Sequence, residues 1–214
     1  MMYRYLIWDF DGTLFDTYPP VVAALCAVLA EANVAVRPAR VARLMRHSMS
    51  RCVNTLAAEH NLDPDALTAQ LEAVNRDIPA EAQPPFEGAA RVCRRVIAAG
   101  GSNYIVTHRK RASLRRLLAH HGMLRLFADC ITADDGYPRK PDPASFLAMM
   151  ARHNLPPHET LAIGDRLLDI EAGRAAGLHT CLFSTAPLEG VTPDHVVGSY
   201  AELEAILFPA GAGE

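Results

Sequence analysis

The sequence predicts an α/β fold, a doubly wound parallel sheet with an all-helical insertion after its first strand. Three observations predict it. From Gly88 onward, short apolar runs alternate with stretches of helical periodicity, the pattern of repeated βα units. Residues 19 to about 80 carry helical spacing and almost no strand signal. Polar groups capable of chemistry stand at the ends of the apolar runs, where open α/β sheets bind their ligands.

The elements come in order along the chain. Tyr5 to Trp8 is a buried strand that ends in Asp9 and Asp11, before the turn-making Gly12. Pro19-Pro20 open a helix to about Ala32, and a second helix after Pro38 puts Val41, Leu44 and Met45 on one face. A third runs from Ser50 to His60, and a fourth from Asp63 to Asp77, where Asp63-Pro64 supplies N-cap and first helical position. Residues 82 to 88 read as a linker. A helix carrying Val92, Val96 and Ala99 stops at Gly100-Gly101, and the strand Asn103 to Thr107 comes next. A helix with Leu114, Leu117 and Leu118 ends near Gly122, before a short strand from Asp129 to Ala133. Asp142-Pro143 caps a helix containing Phe146, Leu147 and Met150, and Thr160 to Gly164 is the next strand. A helix from Leu167 to Gly177, a strand from His179 to Ser184 and a helix from Tyr200 to Phe208 complete the reading. The expected organisation is an α/β core of residues 1–15 and 84–214 and a helical cap of residues 16–83.

Composition narrows the function classes. The chain has 214 residues, 50% of them hydrophobic and 21% charged, which is ordinary for a globular protein able to bury a full core. A net charge of −3 gives no reason to expect nucleic acid or an anionic membrane as partner. The five cysteines are scattered and form no Cys-x-x-Cys pair, which argues against a disulfide framework or a zinc site and suits a reducing cytoplasm. Asp9 and Asp11 interrupt the N-terminal apolar run, so it does not read as a signal peptide, and no uncharged stretch is long enough to span a bilayer.

The chemistry lies at the strand ends. Asp9 and Asp11 could hold a cation, attack an electrophile, or divide nucleophile and acid/base roles. Thr107 ends the second strand in a hydroxyl, Lys140 lies in the loop after the third, and Asp165 and Asp169 come after the fourth. A carboxylate that attacks phosphorus must approach a dianion, so neutralising charge is the main requirement. Mg²⁺ held by Asp9 and Asp165, with Asp169 ligating or orienting, meets much of it. Lys140 can screen the nucleophile and grip a phosphate oxygen, and Thr107 can donate to another. Asp11 can protonate the leaving alkoxide and deprotonate the attacking water. Each residue also has a plain structural reading. Asp-x-Asp can be a solvated turn, Thr107 a strand-end turn residue, Lys140 a solvated loop lysine, and Asp165 with Asp169 a helix cap.

In order along the chain, Asp9-Phe10-Asp11-Gly12-Thr13, Thr107, Lys140-Pro141 and Gly164-Asp165-x-x-x-Asp169 resemble the four motifs of the haloacid dehalogenase superfamily. Residues 169–177 further resemble its phosphoglycolate phosphatase-like branch with an inserted helical cap. The resemblance implies a Rossmann-like core and a Mg²⁺-dependent phosphatase acting on a small phosphate ester through a phospho-Asp9 intermediate. It makes Asp11 the general acid/base. It gives Mg²⁺ the side chains of Asp9 and Asp165 and the backbone carbonyl of Asp11, with Asp169 in support. Asp11 separates this chain from the true dehalogenases, which lack an acid at that position. The absence of lysine from residues 16–83 separates it from the phosphonate-hydrolysing branch.

The substrate is less legible. Gly12, Thr107, His108, Arg109 and Lys140 are expected around the substrate on the core side. On the cap, residues 45–51 read as a polar, basic interhelical loop that would supply Arg46, His47, Ser50 and Arg51, although a solvated loop explains them equally well. Ser50-Arg51 resembles the cap loop of β-phosphoglucomutases, which makes a sugar-phosphate mutase the alternative function. His108-Arg109-Lys110 stands where phosphoglycolate phosphatases usually show Asn-Lys.

Overall fold

The computed structural model describes residues 1–184 and 192–209. By its internal contacts the chain divides into two compact units, one of Met1–Phe15 with Pro85–Glu214 and one of Asp16–Pro84.

The first unit is built on a six-stranded sheet in which every pairing is parallel. Its strands are β1 (Tyr5–Trp8), β2 (Ser102–Val106), β3 (Asp129–Ile131), β4 (Thr160–Gly164), β5 (His179–Phe183) and β6 (His195–Val197). Their spatial order is β3-β2-β1-β4-β5-β6. The chain therefore winds outward from β1 to β3, then returns to the other side of β1 and winds away through β6. This reversal is the topological switch point, and it opens a crevice at the carboxyl ends of β1 and β4. Trp8 is in register with Ile105 on one side and Ile163 on the other, so the residues after Trp8 emerge level with the ends of both neighbours.

Side-chain alternation along the strands explains the two covered faces. Ile7, Tyr104, Val106 and Ala162 pack with Phe146 and Met149 of α7 (Ala144–His153) and Ala172 of α8 (Leu167–Ala175). On the opposite face Trp8 stacks at 6.0 Å on Tyr200, the first residue of α9 (Tyr200–Leu207). The indole N–H of Trp8 donates to Asn103, which in turn donates to the carbonyl of Cys93 in α5 (Ala89–Ala98). Trp8 and its polar handle are thus satisfied within the sheet packing. The remaining core helix, α6 (Arg111–His120), buries Leu114, Leu117 and Leu118.

The second unit consists of α1 (Tyr18–Glu31), α2 (Pro38–His47), α3 (Met49–His60) and α4 (Pro64–Asp77), with a short 3-10 turn after them at Ala80–Ala82. It has its own apolar core, which includes Leu25, Leu29, Val41, Cys52, Leu56 and Leu71. Asp63 caps α4 by accepting the amide of Asp65 at 2.9 Å.

Two local expectations change. The basic loop read over residues 45–51 is almost entirely helical: Arg46 and His47 end α2, and Ser50 and Arg51 open α3. Ser48 alone interrupts them, with φ −170° and ψ 155°, and its hydroxyl accepts the Arg51 amide at 3.0 Å. One serine in the polar stretch thus serves as an N-cap, and no loop is needed. The sequence reading also passed over β6, a strand of three residues.

Candidate active site

Asp9 leaves the end of β1 fully buried, and its amide donates to the carbonyl of Ile163 on β4 at 2.8 Å. The chain then turns sharply. Gly12 has φ 82°, a conformation that L side chains resist, and its amide donates to the carbonyl of Phe15. Asp11 stands immediately before this turn and is half-buried. Thr13 donates from its hydroxyl to Asp165 at 3.2 Å, so the first and fourth motifs are tied directly.

Lys140 lies at the centre. Its side chain is fully buried, and its ammonium lies 2.5 Å from an oxygen of Asp9 and 2.5 Å from one of Asp169. It also donates to the carbonyl of Val106 at 3.1 Å. The contact with Asp169 is an ion pair without hydrogen-bond alignment, since that same Asp169 oxygen lacks a hydrogen-bond partner among the described residues. Asp169 uses its other oxygen to cap α8, accepting the Arg166 amide at 3.1 Å. The capping reading of Asp169 is therefore realised. Gly164 is required beside it: a Cβ there would stand 2.3 Å from the Cβ of Asp169.

The electrostatics arise from Lys140, shared by two buried acids, with Arg166 close to Asp169. Burial is the largest influence on Asp9; Lys140 pulls its pKa down and Asp169 pushes it up, leaving the carboxyl raised to about 6. At Asp169 burial also opposes ionisation, but Lys140, Arg166 and the Arg166 amide outweigh it and hold the carboxyl below its ordinary range. For Lys140 burial works against the charge, and Asp169 and Asp9 restore it and raise its pKa. Arg166, which the sequence reading gave no role, stands 3.7 Å from Asp169 and 4.0 Å from Asp165. Its place between the two acids of the fourth motif was the available signal.

Ligand oxygens of Asp9, Asp165 and Asp169 all lie within 4.8 Å of one another. The second oxygen of Asp9 is buried and has no hydrogen-bond partner among the described residues. A buried carboxylate oxygen left without a donor is costly, and a hard divalent cation bound by oxygen satisfies it. The donor set fits Mg²⁺.

The second strand supplies the remaining groups. Thr107 is buried just beyond β2, and its oxygen accepts the Arg109 amide at 3.1 Å, which leaves the hydroxyl hydrogen available to a ligand. Arg109 reaches across to Asp11 with Nε at 3.1 Å and Nη2 at 2.5 Å, and its other Nη donates to Ser113 at 2.7 Å. His108 accepts the Lys140 amide on Nε2 at 2.9 Å. Both residues expected to face substrate are thus turned toward protein partners. Beside them a small cleft of about 70 Å³ is lined by Thr107, His108, Thr132, Tyr137, Arg139 and Ser145.

The core unit therefore brings together Asp9, Asp11, Gly12, Thr107, His108, Arg109, Lys140, Asp165 and Asp169. Arg46, His47, Ser50 and Arg51 belong to the helical unit, where all four are exposed.

Comparison with known proteins agrees with this arrangement. The pattern describing haloacid dehalogenase-like hydrolases matches residues 6–183. An N-acetylmuramic acid 6-phosphate phosphatase of Pseudomonas putida is 30% identical over 187 residues, covering 84% of this chain and 82% of that protein. A phosphoglycolate phosphatase of Cereibacter sphaeroides is 30% identical over 186 residues, covering 84% of each. The crystal structure of a hydrolase from Streptococcus pneumoniae is similar at 29% identity and TM-score 0.67, over 97% of this chain and 99% of that one. With its motifs gathered on one edge of a parallel sheet, the chain belongs to the haloacid dehalogenase-like hydrolase family.

Proposed function

We propose that this protein hydrolyses a small phosphorylated metabolite in the presence of Mg²⁺ by transferring the phosphoryl group first to Asp9 and then to water. The coarse class comes from the family and its phosphatase relatives: the chain is a phosphoric monoester hydrolase. The observation that supports the finer reading is the buried Asp9, held on one oxygen by Lys140 and left without a donor on the other.

Asp9, Asp165 and Asp169, with the backbone carbonyl of Asp11, are the groups that would hold Mg²⁺. The bound cation supplies positive charge against the phosphate dianion and the incoming carboxylate. Lys140 fixes the orientation of Asp9 and adds a further positive charge, so the nucleophile is confined before substrate arrives. Thr107 donates its hydroxyl hydrogen to a phosphate oxygen. Asp11 gives a proton to the departing alkoxide and takes one from the water that attacks phospho-Asp9. Arg109 orients Asp11 through its two-point contact. Arg109 and Gly12 and, from the helical unit, Arg46, His47, Ser50 and Arg51 are the groups proposed to select the leaving group. Five free cysteines suit a reducing cytoplasm as the working compartment, and among the described residues no helix is long and apolar enough to cross a membrane.

The test is Asp9→Asn assayed on a panel of phosphate esters with Mg²⁺, scored for inorganic phosphate and for isomerised product. The proposal expects phosphate release from the unsubstituted protein and none above background from the variant. Hydrolysis retained by Asp9→Asn would sink it. Isomer formation through a bisphosphate, without phosphate release, would replace it with a mutase.

A further inference from the structure

His108 lies directly after Thr107, and its imidazole Nε2 accepts the backbone amide of Lys140 at 2.9 Å across 32 residues of sequence. The ring is half-buried. The next residue after Lys140 is Pro141, which has no N–H, so within the pair only Lys140 can anchor the loop through a donor. At its other end Lys140 touches three elements: Asp9 after β1, Val106 on β2 and Asp169 on α8. We propose that His108 is a positioning residue for Lys140, pinning the loop backbone so that one ammonium spans both Asp9 and Asp169. This rests on the phosphatase reading given above.

The chemistry of the contact is specific. Accepting a backbone N–H requires an unprotonated Nε2, so the ring's proton sits on Nδ1. A residue of this position that contacts substrate would instead leave its far nitrogen to the ligand. Burial, reinforced by the charges of Lys140, Arg139 and Arg166, lowers the His108 pKa to about 3, which keeps the acceptor available at neutral pH. The geometry also explains why a histidine serves there. Nε2 is the far end of the ring, and glutamine can present an acceptor at comparable reach, whereas phenylalanine fills the volume and offers none. Replacement by phenylalanine leaves a buried amide without its partner and loosens the backbone that aims Lys140.

The test compares His108→Phe with His108→Gln on chemically different esters, such as an aryl phosphate, glycerol phosphate and phosphoglycolate. Since displacements near 1 Å cost about 100-fold in rate, His108→Phe should lower kcat by about 10- to 100-fold, by a similar factor for every ester and with little change in KM. His108→Gln should recover most of that loss. A KM effect confined to one ester would show a substrate contact and overturn the proposal, as would a His108→Phe enzyme with unchanged kcat or a His108→Gln enzyme equally impaired. A second measurement does not depend on the variants folding. In ¹⁵N NMR of the unsubstituted protein at pH 7, His108 should carry its proton on Nδ1, and a protonated Nε2 overturns the proposal. Failure of the unsubstituted protein to turn over any ester would instead count against the phosphatase reading, while the tautomer still decides the His108 contact.

Discussion

At the scale of residues, the site is organised around one buried lysine. Lys140 is one of two lysines in the chain, and its ammonium lies 2.5 Å from both Asp9 and Asp169 in a place sealed from solvent. The second oxygen of Asp9 still has no hydrogen-bond partner among the described residues, and that is where the array suits a divalent ion. His108 gives a measurable consequence. Its pKa is lowered to about 3 by burial first and then by Lys140, Arg139 and Arg166, with Asp169 opposing. The sign is that of a base kept neutral in the fold. As pH falls below the ordinary value of 6.5, the unfolded chain binds a proton that the native chain refuses. Stability is therefore lost between pH 6.5 and about 3, by at most ~1.4 kcal/mol per pH unit and less because the ring is partly exposed. Asp9, raised to about 6, acts in the opposite sense and is present in every His108 variant. Urea denaturation at pH 7.5 and 5.5 should show the unsubstituted protein losing about 1 kcal/mol more than His108→Gln. Equal losses would contradict the assignment.

At the scale of elements, side chains act where a strand ends and a tight contact holds the next few residues in place. The acids and hydroxyl at the ends of β1, β2 and β4 were legible from sequence because apolar runs that stop at polar residues mark strand ends directly. The directions of His108 and Arg109 were not legible. Both stand beside Thr107 and both could face a ligand, but only the tertiary fold brings Lys140 and Asp11 within their reach. Ser48 is a similar case: residues 45–51 are polar enough for a loop, yet one serine suffices to cap α3 and the flanking residues stay helical. β6 was missed because its apolar signal is confined to Val196-Val197, between His195 and Gly198. The junction of β4 and α8 yields a prediction. Gly164→Ala would press a methyl group to 2.3 Å from the Cβ of Asp169, and overpacking of this kind costs about 1–3 kcal/mol. Thermal unfolding should shift down by about 2–10 °C, and turnover should fall because Asp169 is displaced from Lys140. An unchanged melting temperature with full activity would show that the strand–helix junction yields at no cost.

At the scale of the molecule, the order β3-β2-β1-β4-β5-β6 makes the motifs meet. Thr107 and Asp165 are 58 positions apart in the chain yet end the two strands that flank β1, and Asp9 stands between them. The α/β class was readable from the alternation of elements; the strand order was not, because pairing is decided by packing across the whole sheet. The helical unit carries a separate apolar core, so the insertion after β1 packs on its own side chains. The central claim concerns Asp9, and trapping the phosphoenzyme tests it most directly. Rapid acid quenching of the protein during turnover of a ³²P-labelled ester in Mg²⁺ should give protein-bound label that is released by hydroxylamine, maps to the peptide containing Asp9, and is absent from Asp9→Asn. Full turnover with no label on Asp9 at any quench time, or with the label on another residue, would contradict it.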